Sequence, residues 1–428
     1  MTPSRASSHI GLASPGVQSP LLPTAANGDS LVTDNVIRTK VLLLGLRRVG
    51  KTSIQEVIFK DLPPKQTFYL ETTTRVTQLP VDTVIPLEIW DCPSTITLET
   101  LDAPLNQFSS IIFVIDIQEL YQPAIAKLVD FVIAAYQENP GIHLEVFVHK
   151  ADTLSEEYKT DNFRHIQQRV LDELYDISVE YEQIPINFHL TSIYDHSLHE
   201  AFSKVLHKLI DSLPFLEDLL NVFCANSQAS KAFLFDSASR LYVATDASPV
   251  DQPTHGLCSD YLHMLNSFGP LYRSISASPL RQHELPLDIP TSPVQLEYSL
   301  STGTHTPNTP FASGSPHLPS SPSLLPQHIS IPPSPASPPQ ASQSNTPTKP
   351  KLKKGLFYPS ASASLSPTST GAGTTLTYRL ITPQLALLAL LPTTVFDTRR
   401  GLVEYNVVFF REGVQEICDV EEEARRRT

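Results

Sequence analysis

Cysteine, long apolar runs and positive charge are all scarce in this sequence. It holds only 4 cysteines in 428 residues, and they lie far apart with no CxxC pair among them. Their spacing argues against a disulfide framework or a zinc site and fits a reducing compartment. The formal net charge of -13 argues against a general nucleic-acid-binding surface.

Signals for secretion, lipidation or membrane insertion are also missing. The most apolar run, Leu380–Leu391, is too short to span a bilayer and contains Pro383. The N-terminus shows neither a basic-then-apolar signal peptide nor a glycine for myristoylation, and the C-terminus carries no cysteine box for prenylation. We therefore expect a soluble, cytoplasmic protein that reaches any membrane only through a partner, without direct insertion.

Proline is abundant, at 38 residues, but it is unevenly distributed. Residues 1–37 and 301–372 consist largely of Ser, Pro and Thr. Such segments cannot bury enough apolar surface to offset the entropy lost on ordering. We predict a disordered N-terminal arm and a long disordered insertion. Folded sequence is expected at residues 38–213, 214–300 and 373–428.

Residues 38–213 alternate predicted strands with predicted helices. The strands are "KVLLLG", "IPLEIWD", "SIIFVID", "HLEVFVHKAD" and "INFHLTS", and helical stretches include Ala124–Gln137 and Asp161–Leu174. This alternation is typical of an α/β fold in which helices cover both faces of a mostly parallel sheet.

Residues 214–300 and 373–428 are predicted to form one smaller α/β domain, which the insertion interrupts. The predicted elements are helices at Phe215–Phe223 and Val250–Asn266, strands at "KAFLFD", "RLYVATD" and Val294–Leu300, and further folded sequence from "TLTYRLIT" onward. A final helix is indicated by the spacing of Leu402, Tyr405, Phe409, Ile417 and Val420. The alternative is two independent domains, but the C-terminal piece is short for a core of its own.

Residues Gly45–Thr52, "GLRRVGKT", match the phosphate-binding pattern GxxxxGK[ST] directly after a strand and before a helix. Gly45 and Gly50 let the loop curl so that backbone N–H groups face phosphate oxygens, and the helix N-terminus adds its positive end. Lys51 is expected to bridge the outer phosphates. The hydroxyl of Thr52 is expected to coordinate Mg²⁺.

The stretch "HKAD" distinguishes between ATP and GTP. It ends a predicted strand, where base-reading residues belong in this topology. The Asp152 carboxylate can accept two hydrogen bonds from the guanine edge, whereas adenine offers no such pair of donors. Lys150 can pack its stem along the base and brace the loop. His149 stands where Asn is more usual. The stretch "TSI", with Ser192 and Ile193, is expected to supply a backbone N–H to the guanine oxygen.

A switch threonine is expected between the phosphate loop and Trp90. Thr72, Thr73 and Thr74 all fit a residue that contacts Mg²⁺ and the γ-phosphate. The alternative is that these are three solvated threonines before an edge strand. Asp91 is expected to reach Mg²⁺ through a water molecule.

Several stretches together resemble the Rag GTPases, specifically the RagC/RagD type. They are "GLRRVGKTSIQEV", "HKADTLSEEYK", "TSIYDHSLHEAFSKVLHKLI", "KAFLFD", "ATDASPVD" and "GLVEYNVVFF". The resemblance covers Lys40 to about Tyr272 and about Thr374 to Val420. It implies that Thr73 is the switch threonine and metal ligand, and that Lys51, Asp91 and Thr73 serve hydrolysis. It also places Arg48, Val49, Ser53 and Thr67 at the nucleotide.

The resemblance further implies a biological setting. The second domain is expected to be of the roadblock type and to pair with a RagA/RagB-type GTPase in an obligate heterodimer. A scaffold complex would hold the pair on the lysosome or vacuole, where it recruits TOR complex 1 when amino acids are plentiful. The expected ligands are GTP or GDP and Mg²⁺, and a GTPase-activating complex is the expected regulator.

The stretch "WDCPST", Trp90–Thr95, departs from the family pattern WDxPG-Gln at its last two positions. Ser94 keeps a backbone N–H for the γ-phosphate, but is strained if its φ must be positive. Thr95 is too short to orient the attacking water as Gln does, and Gln107 is too remote to replace it. Two hypotheses follow: a slow GTPase switch that needs an activating protein, or a nucleotide-bound scaffold with negligible turnover.

Overall fold

The structure, a computed structural model, describes residues 37–272, 278–279, 356–365 and 373–427. No helix within these ranges is long and apolar enough to cross a membrane. The predictions for the arm at residues 1–36, for a strand at Val294–Leu300 and for residues 301–355 of the insertion fall outside the described residues.

A six-stranded sheet forms the centre of the N-terminal domain, in the order β2-β3-β1-β4-β5-β6. Its strands are β1 (Thr39–Gly45), β2 (Thr77–Asp82), β3 (Pro86–Asp91), β4 (Phe108–Asp116), β5 (His143–His149) and β6 (Ile186–Thr191). All neighbours pair in parallel except β2 and β3, which are antiparallel. The predicted mostly parallel α/β architecture is confirmed.

Helices cover both faces of this sheet. They are α1 (Lys51–Phe59), α2 (Gln122–Glu138), α3 (Glu156–Ile177) and α4 (Ser197–His207). In β1, Val41 and Leu43 pack with α1 and α4, while Leu42 and Leu44 pack with α2 and α3. A strand buried on both faces has little reason to alternate polar and apolar residues, which explains the apolar run "VLLL". The carboxyl ends of the parallel strands gather the site residues at one edge.

The second domain contains an antiparallel sheet in the order β11-β12-β13-β7-β8. Its elements are α5 (Leu213–Ser227), β7 (Lys231–Asp236), β8 (Tyr242–Thr245), α6 (Gln252–Tyr272), β11 (Ser360–Leu365), β12 (Thr374–Leu380), β13 (Leu385–Pro392), α7 (Thr393–Thr398) and α8 (Arg400–Arg427). The short strands β9 (Ser278–Pro279) and β10 (Leu356–Phe357) pair with each other. Because β13 pairs with β7, strands from both sides of the insertion share one sheet.

The prediction of disorder through residue 372 is wrong for residues 356–365. Strand β11, "SASASL", pairs antiparallel with β12 along its whole length. Its Ala361, Ala363 and Leu365 are half-buried, whereas the intervening serines are exposed. Composition misled the prediction because the backbone hydrogen bonds of a strand at a sheet edge do not require large apolar side chains.

The C-terminal helix was predicted correctly, but its buried face differs from the one that the apolar spacing suggested. Val403, Val407, Phe410 and Val414 of α8 pack into the core against α5 and the sheet. Of the five residues that indicated the helix, Leu402, Tyr405, Phe409 and Val420 are exposed and Ile417 is half-buried. Both faces of α8 therefore carry apolar residues, and only the packing distinguishes them.

The two domains share a continuous core. Residues of α1 and α4 belong to the same apolar cluster as residues of α5, α8 and β13. Ser203 on α4 accepts a hydrogen bond from the backbone N–H of Tyr242 at 3.0 Å, and Arg240 forms an ion pair with Asp61 at 2.8 Å. His199 on α4 and His255 on α6 lie buried at this junction, and their ring nitrogens have no hydrogen-bond partner among the described residues.

Candidate nucleotide-binding site

The phosphate loop links β1 to α1, and its glycines are required by its shape. Gly45 and Gly50 have φ angles of 145° and 102°, in the region that side chains disfavour. A Cβ atom at Gly45 would lie 2.5 Å from the Val114 carbonyl oxygen. The loop therefore curls tightly against β4 and delivers its backbone to the start of α1, as expected for an anion-binding loop.

Lys51 is the first residue of α1 and its ammonium group points back over the loop. Its Nζ donates hydrogen bonds to the carbonyl oxygens of Gly45 and Leu46, each at 3.0 Å. The side chain is buried, and burial lowers its pKa. An anion placed within the loop would therefore meet a partly desolvated cation, whose attraction is stronger than that of an ammonium group in water.

Thr52, Thr73 and Asp91 come together although they are distant in sequence. The Thr52 hydroxyl donates to Oδ2 of Asp91 at 2.6 Å and lies 2.7 Å from the Thr73 hydroxyl, which donates to the same Oδ2 at 3.0 Å. Burial raises the pKa of Asp91. Its Oδ1 is buried without a hydrogen-bond partner in the described part of the chain. Clustered oxygens with one unsatisfied carboxylate atom suit a hard divalent cation such as Mg²⁺.

The predicted base-reading residues lie at the ends of β5 and β6. Oδ1 of Asp152 accepts a hydrogen bond from the Ser192 hydroxyl at 2.5 Å, which orients the carboxylate. Lys150 has a φ of 64°, and its ammonium group donates to Asp116 at 2.5 Å and to the carbonyl oxygen of Arg48 at 2.8 Å. Lys150 thus ties the base end of the site to the phosphate loop, which agrees with the bracing role expected of it.

His149 lies beneath the phosphate loop. Its Nδ1 is 2.9 Å from the Thr191 hydroxyl, and a Cβ atom at Gly50 would lie 2.8 Å from its Cδ2. Burial lowers the pKa of His149 to about 4, so the ring is neutral at physiological pH. The structure therefore gives His149 a packing contact with Gly50 that the sequence did not suggest.

A cleft of about 770 Å³ runs from the phosphate loop to the predicted base-reading residues. Most of the predicted ligand-binding residues line it: Arg48, Val49, Gly50, Lys51, Thr52, Ser53, Thr67, Thr73, His149, Lys150, Asp152 and Ile193. Asp91 and Ser192 are absent from the lining but contact residues that do line it. The volume suits a nucleotide-sized ligand.

Other residues line the cleft that the sequence did not single out. They include Arg47, Phe68, Leu70, Glu71 and Tyr194. Arg47 was recognisable as a variable position of the phosphate-loop pattern. Phe68 and Tyr194 carried no signal, because nothing local distinguishes an aromatic residue beside a ligand from one on the surface.

In the "WDCPST" stretch, Ser94 lines the cleft, whereas the exposed Thr95 does not. The φ angle of Ser94 is not positive, so Ser at this position causes no backbone strain and its N–H remains usable. Gln107 lies at the opposite end of the sheet, because its side chain accepts a hydrogen bond from Lys40 at the start of β1 at 3.0 Å. Gln107 therefore cannot replace the missing glutamine.

Comparison with known proteins identifies the family of the chain that forms this cleft. The model of the Gtr1/RagA G protein conserved region matches residues 40–262. The chain belongs to this G-protein family. Its members are GTP-binding GTPases, and the chain is accordingly a GTPase.

Individual relatives indicate the type within the family. GTP-binding protein gtr2 of Schizosaccharomyces pombe is 46% identical over 268 residues, which cover 61% of this chain and 84% of that protein. Ras-related GTP-binding protein D of Mus musculus is 44% identical over 242 residues, covering 55% of this chain and 54% of that protein. GTP-binding protein gtr1 of S. pombe is only 23% identical over 227 residues, covering 51% of this chain and 71% of that protein. This Rag-family member is therefore of the Gtr2/RagC/RagD type.

Proposed function

We propose that the cleft binds GTP and GDP with Mg²⁺, and that the chain is a slow, activator-dependent guanine-nucleotide switch. The observation that carries the proposal is the position of three separate strand ends at one cleft. The phosphate loop after β1 and Asp152 after β5 line it, and Asp91 at the end of β3 contacts Thr52, which lines it. Asp152 selects guanine because its carboxylate accepts from the N1–H and N2–H₂ edge.

Thr52 and Thr73 would hold the Mg²⁺, and Asp91 would reach it through a water molecule. Thr52 and Thr73 supply hydroxyl oxygens, and Asp91 supplies the buried carboxylate behind them. The bound cation would neutralise charge on the outer phosphates. Because Thr73 belongs to the segment between α1 and β2, its contact with Thr52 joins that segment to the phosphate loop. Loss of this contact would release the segment, which is the proposed switch motion.

We expect slow hydrolysis because Ser94 and Thr95 replace the Gly and Gln of the family pattern. Phosphoryl transfer depends on positioning and charge stabilisation, and Thr95 provides no amide to orient water. The phosphate loop contributes the buried cation Lys51 to charge stabilisation. We expect an activating protein to supply a further positive charge that stabilises the transition state. The second candidate is a nucleotide-bound scaffold subunit with negligible turnover, which the exposed position of Thr95 outside the cleft favours.

Single-turnover hydrolysis of preloaded GTP would separate these candidates. The chain would be purified with its partner GTPase. The phosphate-loop Ser or Thr of the partner is replaced, so that the measured GTP cleavage comes only from the site of this chain. We expect cleavage with an activating protein and almost none without it. Thr95→Gln should raise the unaided rate by about tenfold or more, since it restores a water-orienting amide, whereas the control Thr97→Gln should not. Absence of cleavage in every sample, despite tight GTP binding, would support the scaffold candidate.

We also propose that the second domain pairs with a RagA/RagB-type GTPase. Its antiparallel sheet, with α6 on one face and α5 with α8 on the other, supports a roadblock-type assignment. Leu257, Met264 and Phe268 of α6 are exposed and lie on one side of the helix. Strand β11 is a sheet edge, because it pairs only with β12 among the described residues. An apolar helix face and a strand edge are features that a partner domain can cover.

Substitutions on α6 would test the pairing. Met264→Glu with Phe268→Glu places charge on the proposed interface, and we expect loss of co-purification with the RagA/RagB-type GTPase. The control Tyr158→Glu introduces the same charge on α3, where Tyr158 is 67% exposed, and should leave the complex intact. Retention of the complex by the α6 variant would disprove this interface.

A second exposed apolar face supports the proposed scaffold contact. Leu402, Tyr405 and Phe409 project from α8, and Val222 is exposed on the neighbouring α5. We propose that a scaffold complex on the lysosome or vacuole binds here, and that the heterodimer then relays amino-acid sufficiency to TOR complex 1. Tyr405→Ala with Phe409→Glu should abolish vacuolar localisation while the heterodimer persists. Unchanged localisation would overturn this assignment.

A further inference from the structure

The loop after Asp91 contains a closed β-turn. The backbone N–H of Ile96 donates to the carbonyl oxygen of Pro93 at 3.2 Å, so that Ser94 and Thr95 are the central residues. The carbonyl oxygen of Ser94, in the middle peptide of the turn, accepts a hydrogen bond from Nζ of Lys127 at 2.7 Å. Lys127 lies on α2, so an element outside the loop holds this peptide.

This middle peptide has little freedom to flip. A flip of this peptide would give a type II or type II′ turn, in which one central residue must adopt a positive φ. Neither Ser94 nor Thr95 has a positive φ, and both residues disfavour it, the β-branched Thr95 most strongly. The Gly-Gln sequence of the family pattern would flip more easily. Because the N–H and C=O of a trans peptide point in opposite directions, the Thr95 N–H faces away from Lys127.

The turn retains hydrogen-bonding capacity on its free side. The backbone N–H groups of Ser94 and Thr95 find no acceptor among the described residues, and Ser94 lines the cleft. Lys127 itself is half-buried, with its Nζ 5.9 Å from the centre of the Phe131 ring. Burial lowers its pKa, whereas the nearby Cys92 acts to raise it. Partial burial strengthens the hydrogen bond to Ser94, since water competes less for the ammonium group.

We propose that Lys127 is a positioning residue that fixes the Ser94–Thr95 turn, so that the backbone N–H of Ser94, which lines the cleft, receives the terminal phosphate of GTP. Lys127 does not touch the nucleotide and acts through the peptide that it holds. GTP has this terminal phosphate and GDP lacks it, so Lys127 determines the preference between them. The inference rests on the proposed function, because it requires guanine nucleotide in the cleft.

Affinities for GDP and for a non-hydrolysable GTP analogue test this proposal. The full chain would be purified with its partner, whose own phosphate-loop Ser or Thr is replaced. We expect Lys127→Met to weaken binding of the analogue by about tenfold, the scale of one charge-assisted hydrogen bond, without changing GDP affinity. Lys127→Arg should restore the preference, because Arg keeps the charge and the donor. Lys204→Met removes a lysine from α4, where it pairs with Glu200, and serves as the matched control.

Each outcome has a distinct meaning. The positioning role would be overturned if Lys127→Met left the ratio of the affinities for the analogue and GDP unchanged, whether both affinities fall equally or neither falls. If Lys127→Met fails to fold, Lys127→Gln keeps a neutral donor and should show a smaller loss for the analogue alone. Failure of the unaltered chain to bind either nucleotide would instead refute the proposed function. The melting temperature, recorded for every variant, separates a structural defect from a change in nucleotide preference.

Discussion

Asp152 is the residue on which the proposed base selectivity depends. Its carboxylate is oriented by the Ser192 hydroxyl and lines the cleft beside Lys150. A carboxylate can accept two hydrogen bonds, whereas an amide accepts through its oxygen and donates through its nitrogen. At this position a change of one functional group therefore changes which base edge fits.

Asp152→Asn should shift the preference from GTP towards xanthosine triphosphate by about tenfold or more, because xanthine carries a carbonyl where guanine has an amino group. Competition binding with the two nucleotides measures the shift. Asp130→Asn, on the exposed face of α2, is the matched control and should leave the preference unchanged. An unaltered preference in Asp152→Asn would refute the base-reading role.

Strand β5 illustrates how a buried charge is accommodated within one element. Glu145 is fully buried, and its two oxygens contact Nζ of Lys208 at 2.6 Å and Nε2 of His189 at 2.8 Å. A buried carboxylate that loses its cation is more costly than the absence of both groups. The pairing joins Lys208, the residue after α4, to β5, the strand next to the edge strand β6.

Lys208→Met should therefore destabilise the protein by about 2 kcal/mol or more, because Glu145 remains buried without its cation. The double variant Glu145→Gln with Lys208→Met should recover much of that loss. Denaturant unfolding of the single and double variants provides the measurement. Lys204→Met, which breaks an exposed pair, should cost less than about 1 kcal/mol. A double variant less stable than Lys208→Met would contradict the argument.

At the scale of the whole molecule, buried histidines make stability depend on pH. Burial lowers the pKa of His199 to about 3 and those of His149, His207 and His255 to about 4. Their ordinary value is 6.5. Between these values the unfolded chain binds more protons than the folded one, so stability falls as the pH falls. His199 and His255 lie where the two domains meet, so acid weakens that junction.

The free energy of unfolding should fall between pH 6.5 and about pH 4, by up to about 1.4 kcal/mol per pH unit for each such histidine. Denaturant unfolding at a series of pH values measures the slope. His199→Leu should reduce the slope by the contribution of one histidine. It loses no hydrogen bond to the described residues, because neither ring nitrogen has a partner among them. An identical slope in His199→Leu would show that this residue does not contribute.

Local sequence was sufficient to predict the parallel sheet and the phosphate loop that lines the cleft. Strand runs such as "KVLLLG" and the spacing of Gly45, Gly50 and Lys51 carry their meaning within a few residues, because loop shape and strand burial are local requirements. The assignment of Thr73 needed the family resemblance, since three adjacent threonines look alike. The structure brings Thr73 to Thr52 and Asp91, a contact that no local pattern contains.

Tertiary structure alone decided several other features. Strand β11 forms because β12 offers it a sheet edge, although its composition resembles the rest of the insertion. The buried face of α8 is selected by contact with α5, because both faces are apolar. Lys127 reaches the Ser94 carbonyl across 33 residues of sequence. The sequence by itself determined the α/β class and the nucleotide chemistry, which depend on neighbouring residues. The pairing of β11, the choice of the buried face of α8 and the contact of Lys127 with the Ser94–Thr95 turn depend on distant surfaces that only folding brings together.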